Sequence, residues 1–243
     1  MALFLLRIRK LLALLAFPKL TMFALRNRIM PATEHVPLLI DLRVEQIWDV
    51  GANKGQFALI SRELFPNASI YSFEPLRKAS TVLKKNFSSD LNFESFNVAL
   101  GSSKGKQIIY ETLADDSSSF LVPLNEKDKP KGLGVRSRYE VNLTTFDEYW
   151  KKSEKLVTSL LKIDVQGFEL EVLKGASGSL RDITYVYCEC SFFRTYKGQC
   201  LAGEVIEFLA LHDFQVKSIA NLTYLRNKEP YQVDILFEKQ PKC

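Results

Sequence analysis

Asp49-Val50-Gly51-Ala52-Asn53-Lys54-Gly55-Gln56 reads as a strand end turning into a helix start. Ile47-Trp48-Asp49-Val50 supplies the short strand. Lys54–Phe65 then places Phe57, Ile60 and Leu64 at helical spacing until Pro66-Asn67 stops it. In a doubly wound sheet the turn after the first strand lies where the strand order reverses, and ligands bind just beyond it. Gly51 lets backbone approach a ligand with no Cβ in between, and amides at the helix start favour an anionic group. Glu74, 23 residues after Gly51, ends a second strand over Ser69–Phe73. There it is placed to accept hydrogen bonds from two ribose hydroxyls.

The same alternation continues along the chain, as βαβ units require. A helix over Arg77–Phe87 and a third strand over Phe93–Leu100 follow. Residues 101–143 break the rhythm. Gln107–Thr112 and Tyr139–Leu143 read as a hairpin inserted on the sheet, around a polar loop holding Asp115 and Asp116. Alternation resumes with a strand over Leu160–Val165 and a short helix over Phe168–Lys174, closed by Gly175 in the C′ position. A strand over Ile183–Cys190 and a helix over Gly203–His212 come next. The last strands, Gln215–Ala220 and Gln232–Glu238, have a connection too short for a helical crossover, so one runs antiparallel. The expected fold is α/β: a doubly wound, mostly parallel, Rossmann-like sheet with an inserted β-hairpin and an antiparallel terminal strand. Residues 41–243 would form this domain, with 1–40 as a separate N-terminal segment.

The formal charge of +5 is unevenly held. Residues 1–33 carry Arg7, Arg9, Lys10, Lys19, Arg26 and Arg28 and no acid, while the other 27 basic and 28 acidic residues leave the remainder at −1. A balanced body argues against a nucleic-acid face built by the fold. The longest charge-free run in the first thirty residues is Leu11–Pro18, far short of the roughly 20 that a membrane span needs. No small-x-small cleavage site follows it. A basic amphipathic segment remains. It is expected either on an anionic membrane surface, leaving a cytoplasmic protein peripherally attached, or packed as a lid or homo-oligomer contact. Cys188, Cys190, Cys200 and Cys243 show neither a C-x-x-C pair nor zinc spacing, so they read as free thiols.

The turn at Gly51 could serve a nicotinamide or an S-adenosylmethionine enzyme, and the glycine pattern separates them. Dinucleotide binding expects G-x-G-x-x-G; here the pattern is G-x-x-x-G, with Asn53 where the second glycine should stand. Asp49 suits the ammonium group of a methionine moiety. A short-chain NAD(P)-dependent oxidoreductase would also need Tyr-x-x-x-Lys on a helix, and Tyr224–Lys228 falls between the last two strands. A catalytically inactive, membrane-associated scaffold is the other alternative, and the intact Asp49–Gly55 loop stands against it.

Asp49–Phe57, Phe73-Glu74-Pro75 and Leu161-Lys162-Ile163-Asp164-Val165-Gln166-Gly167-Phe168-Glu169 together resemble the FkbM-type methyltransferases. Glu34-His35, Asn97-Val98-Ala99-Leu100, Ser117-Ser118-Ser119 and Thr145-Phe146-Asp147 agree with them, so the similarity runs over residues 31–200. The resemblance implies a class I methyltransferase fold, S-adenosylmethionine as cofactor, and O-methylation of a sugar, glycan or polyketide-like hydroxyl. It also implies that Asp49, Gly51, Glu74 and the Val98-Ala99 step cradle the cofactor, the last against adenine. Ala52, Asn53, Gly55 and Pro75 accompany them on the same loops, and Asp164 joins the cofactor candidates from the end of the fourth strand.

Methyl transfer from a sulfonium is an in-line displacement, so alignment supplies much of the acceleration. A weakly nucleophilic hydroxyl also gains from a general base or a metal. Asp164, Glu169 and Glu189, near the ends of the fourth and fifth sheet strands, would converge across about 10 Å. They are candidates for the base, or for ligands of Mg²⁺ or Mn²⁺. His35 joins the catalytic candidates if the N-terminal segment folds over the cofactor mouth. Phe192, Phe193, Arg194 and Tyr196 suit either a sugar ring or a core-and-rim role.

Overall fold

The computed structural model describes residues 21, 22, 24, 29–113, 118–124, 134–150, 157–225 and 227–241. Most of the basic N-terminal segment, Ser117, both loop aspartates and Cys243 lie outside them. The strands are β1 (Gln46–Val50), β2 (Ser69–Phe73), β3 (Phe93–Phe96), β4 (Ala99–Leu100), β5 (Gly105–Thr112), β6 (Val135–Thr144), β7 (Ser159–Ile163), β8 (Tyr185–Ser191), β9 (Phe214–Ala220) and β10 (Gln232–Lys239). The helices are α1 (Val36–Leu39), α2 (Gln56–Leu64), α3 (Arg77–Asn86), α4 (Phe146–Trp150), α5 (Glu169–Lys174) and α6 (Ala202–Ala210).

Seven strands form the main sheet in the order β3-β2-β1-β7-β8-β10-β9. The order reverses beside β1, which puts the Gly51 turn at the switch point. Strand β10 runs antiparallel to both β8 and β9, and the strands from β3 to β8 are parallel. This is the doubly wound sheet with an antiparallel terminal strand that the chain's alternation implies. The insertion is a separate three-stranded sheet in the order β4-β6-β5, built on the expected antiparallel hairpin.

Two local expectations need correction. The third strand does not run through to Leu100: β3 stays with β2, and Ala99–Leu100 leaves the main sheet to pair with β6. Asn97 marks the break, donating from Nδ2 to the carbonyls of Glu74 and Pro75 at 2.8 and 3.0 Å. Gly175 does follow α5, but with a right-handed φ of −72°. Glycine is needed there because a Cβ would lie 2.0 Å from the Gly101 carbonyl oxygen.

Strand alternation sends side chains to two apolar layers. Trp48, Val50, Leu161 and Ile163 join residues of α5 and α6 on one face. Ile47 and Leu160 join Phe57, Ile60 and Leu83 on the other, where Ile29, Leu38 and Leu39 also pack. Cys188, Cys190 and Cys200 are free and buried.

Candidate active site

The turn after β1 is held by β2 and β7. The amides of Gly51 and Ala52 both donate to the Phe73 carbonyl at 3.0 Å, so a ligand does not find them open. Gly51 has φ +78°, and a Cβ there would stand 1.9 Å from the Asp164 carbonyl oxygen. The glycine is therefore dictated by the approach of the chain leaving β7, not by a ligand's approach. Asn53 is also left-handed, with φ +49°, and its amide donates to Glu74 Oε2 at 2.8 Å. The Leu76 amide occupies Oε1 at 2.7 Å. Each oxygen of Glu74 retains acceptor capacity. Burial pushes this carboxyl up to about 7, against the pull of the two amides.

Register assembles a polar row on the face that carries α2. Asp49 on β1 lies opposite Lys162 on β7, Lys162 opposite Tyr187 on β8, and Glu189 opposite Asp234 on β10. Lys162 Nζ stands 2.9 Å from Asp49 Oδ1 and donates to the Gly51 carbonyl at 3.0 Å. Burial works against the lysine's charge, but Asp49 and Asp164 outweigh it and hold its pKa above the usual value. Asp49 is fully buried, and that burial raises its own pKa even with the lysine beside it. Its Oδ2 has no hydrogen-bond partner among the described residues. Asp49 thus sits behind Lys162 and does not line the cavity.

The candidate catalytic carboxylates divide. Gln166 Nε2 donates to Asp164 Oδ1 and to Glu189 Oε2, both at 2.9 Å, bridging the two. Gln232 Nε2 adds a third bond, to the same Glu189 oxygen at 3.0 Å. Burial raises the Glu189 pKa well above the carboxylate range, and Asp164, Asp234 and Glu169 push it further. Glu169 turns away from this pair. Its Oε1 accepts the amides of Gly167 and Val165, at 2.8 and 3.3 Å, and the Cys200 thiol approaches Oε2 at 3.4 Å. Burial lifts its pKa to about 7, and it closes its own loop at the start of α5. The expected trio is therefore not assembled. Among the described residues no three His, Cys, Asp or Glu side chains group to hold a metal ion, so this donor set does not fit Mg²⁺ or Mn²⁺.

His35 reaches the site from the N-terminal side. Its Nδ1 is 2.5 Å from Tyr187 Oη and 3.4 Å from Asp234 Oδ2, and its ring packs edge-on against Phe57 and Tyr187. Asn221 completes the group, donating from Nδ2 to Asp234 Oδ2 at 2.7 Å. Burial would raise the Asp234 pKa, yet His35, Tyr187 and Asn221 hold it below the ordinary value.

Apart from Asp49, Glu169 and Tyr187, these groups border one cavity of about 690 Å³, a volume typical of small-molecule sites. Gly51, Ala52, Asn53, Glu74 and Pro75 line one end, with Val98 and Ala99 beside them. Gly55 is set back, as the left-handed residue that starts α2. The insertion contributes Ile109 of β5 and Phe120 of the segment between β5 and β6, and Ser119 Oγ ties that segment to the Gln166 carbonyl at 2.6 Å. Lys162, Asp164, Gln166, Glu189 and His35 border the middle, and Asn221, Thr223, Tyr231, Gln232 and Asp234 the far wall. The aromatic-basic stretch after β8 is not part of it. Tyr196 is core, Phe192 is exposed, and Arg194 binds the Gln199 carbonyl. Tyr224 is also exposed and off the cavity, which removes the oxidoreductase pattern.

Lys162 and Asp234 were legible as candidates in principle. Each is a lone charge inside an apolar strand, and such a charge calls for a buried partner. The rest of the far wall, Asn221, Thr223, Tyr231 and Gln232, carries no comparable signal in the chain.

Known methyltransferases match this chain in sequence. The model of the FkbM methyltransferase domain matches residues 49–216. The 2-O-methyltransferase NoeI of Sinorhizobium fredii is 24% identical over 170 residues, covering 67% of this chain and 70% of its own length. The methyltransferase sdnD of Sordaria araneosa is 32% identical, covering 53% of this chain and 59% of its own. The hexuronic acid methyltransferase AglP of Haloferax volcanii is 28% identical, covering 59% and 54%. The match thus spans less than two thirds of the last two relatives. With a family match over most of its length and a doubly wound sheet opening on one cavity, the chain belongs to the FkbM family of S-adenosylmethionine-dependent methyltransferases.

Proposed function

We propose that the protein methylates a hydroxyl oxygen of a sugar, glycan or polyketide-like small molecule. One observation carries this reading: a single cavity joins the Gly51 turn and Glu74 to a floor bordered by Glu189, whose Oε2 is held by Gln166 and Gln232. The residues fit the cofactor. Glu74 is a buried carboxylate with spare acceptor capacity, suited to ribose hydroxyls, and Pro75, Val98 and Ala99 offer an apolar edge to adenine. Asp164, half-exposed on the floor, is suited to the methionine ammonium. Asp49 acts from behind, by fixing Lys162. S-adenosylmethionine supplies an electrophilic methyl group when bound there. Glu189 would take the proton of the acceptor's hydroxyl, while Gln166 and Gln232 hold its Oε2. His35 and Asp234 orient the far wall. NoeI and AglP, which by name methylate an oxygen and a hexuronic acid, support an oxygen on a sugar-like acceptor.

Calorimetry should show S-adenosylhomocysteine binding near micromolar, about −8 kcal/mol, and no binding of NAD. Glu74→Ala should weaken it by roughly 1.5–3 kcal/mol, the scale of a lost charged hydrogen bond. Ribose hydroxyls favour the ionised carboxylate, so wild-type affinity should rise with pH and level off above about 7. Equal affinities in wild type and variant would place the ribose elsewhere.

We propose also that residues 1–30 attach the protein peripherally to anionic membranes. Six basic residues, each contributing about 1 kcal/mol before screening, should give vesicle co-sedimentation that fades as salt rises. Binding to neutral vesicles alone, or to none, would leave the segment a lid or an oligomer contact.

A further inference from the structure

The far end of the cavity has one-sided chemistry. Asp164, Glu189 and Asp234 border it, facing Lys162 and His35 among the described residues. Lys162 is spent on Asp49 and the Gly51 carbonyl. The side-chain amides nearby are largely engaged too: Gln166 donates to Asp164 and Glu189, Asn221 to Asp234 and the Glu34 carbonyl, and Gln232 gives one of its two N–H groups to Glu189. All three carboxyl groups therefore draw donors from within the fold, and their remaining lone pairs are the acceptors this wall offers a ligand. Leu222, 43% exposed, and Tyr231 add apolar surface at the same wall.

Resting on the methyl-transfer reading, we infer that the acceptor is a neutral or amine-bearing polyol, and that sugar acids and phosphorylated or sulfated sugars are excluded. Hydroxyl and ammonium protons meet the open lone pairs of this wall, and ring carbons meet Leu222. An anionic substituent would face the Asp164 and Asp234 carboxylates where walls of low dielectric weaken screening, and the one lysine at the wall, Lys162, is already paired with Asp49. Negative charge on the ring is thus the feature that separates this acceptor from the hexuronic acid named for one relative.

The test uses the full chain loaded with S-adenosylhomocysteine. Saturation-transfer NMR titrations at neutral pH compare methyl β-glucoside, methyl β-glucosaminide and methyl β-glucuronide. The glucoside or the glucosaminide should bind, and the uronide should bind about tenfold more weakly or worse. Asp234→Asn should narrow that gap several-fold without weakening S-adenosylhomocysteine. Uronide binding equal to or tighter than that of the other two overturns the inference, as does failure of all three to bind the loaded protein. Failure to load S-adenosylhomocysteine at all would instead strike the methyltransferase reading.

Discussion

Lys162→Met is expected to lower the melting temperature by roughly 10 °C, because it strands a carboxylate inside the sheet. Asp49 has no exposed surface and Lys162 only 3%, and the ammonium group is the counter-charge 2.9 Å away. Removing one member of a buried pair costs about 3–5 kcal/mol, whereas replacing both by uncharged groups is often nearly neutral. The double variant Asp49→Asn/Lys162→Met should therefore recover most of the loss. The pH dependence has a definite sign. Burial already raises the Asp49 pKa, and without the lysine it rises further. A raised acid destabilises the fold at pH values above its unfolded pKa, so the single variant should lose most at neutral and alkaline pH and less as pH falls. Thermal melts across pH decide the matter. A small, pH-independent loss would mean that the pair contributes little.

Glu189→Gln should cut kcat by about 10²–10⁴-fold, the range for loss of a general base, while S-adenosylhomocysteine affinity stays close to wild type. Glutamine keeps the side chain's shape and can still meet Gln166 or Gln232, but it cannot take a proton at the position of Oε1. The base works deprotonated, so wild-type kcat should climb with pH along a limb lying above the ordinary carboxylate range. Burial and the neighbouring Asp164 and Asp234 put it there. The variant should lack this limb. A variant with near-normal kcat would shift the base to Asp164, whose replacement by Asn would then carry the loss. Glu169→Gln offers the contrast. It removes a buried acid from its own loop and should lower the melting temperature without changing the form of the pH profile.

The N-terminal side ties these effects together. His35 lies 152 residues before its partner Tyr187, and the Asn221 amide donates both to Asp234 and to the Glu34 carbonyl. Residues on opposite ends of the chain therefore share one hydrogen-bonded wall. Changes at Asp234 should be felt in acceptor binding before they are felt in cofactor binding.

The sequence by itself determined the features that depend on near neighbours. Apolar runs alternating with helical spacing encode strands and helices, so β2 falls where Ser69–Phe73 predicted it. The short link before Gln232 forces the antiparallel strand, and Gly51, Gly55 and Glu74 mark the turn and strand end that open the cavity. Tertiary structure decided which charges meet. Asp49 and Lys162 are separated by more than a hundred residues and become partners only because β7 lies beside β1, in a register that sets them opposite each other. The same holds for Glu189 and Asp234 across β8 and β10. Glu169 shows the converse. It shares a loop with Asp164, yet the left-handed turn at Gln166 and Gly167, with φ +54° and +98°, brings the Gly167 amide onto its carboxylate and leaves it out of the site. Local periodicity says which face a residue occupies, whereas strand order and register say what it finds there.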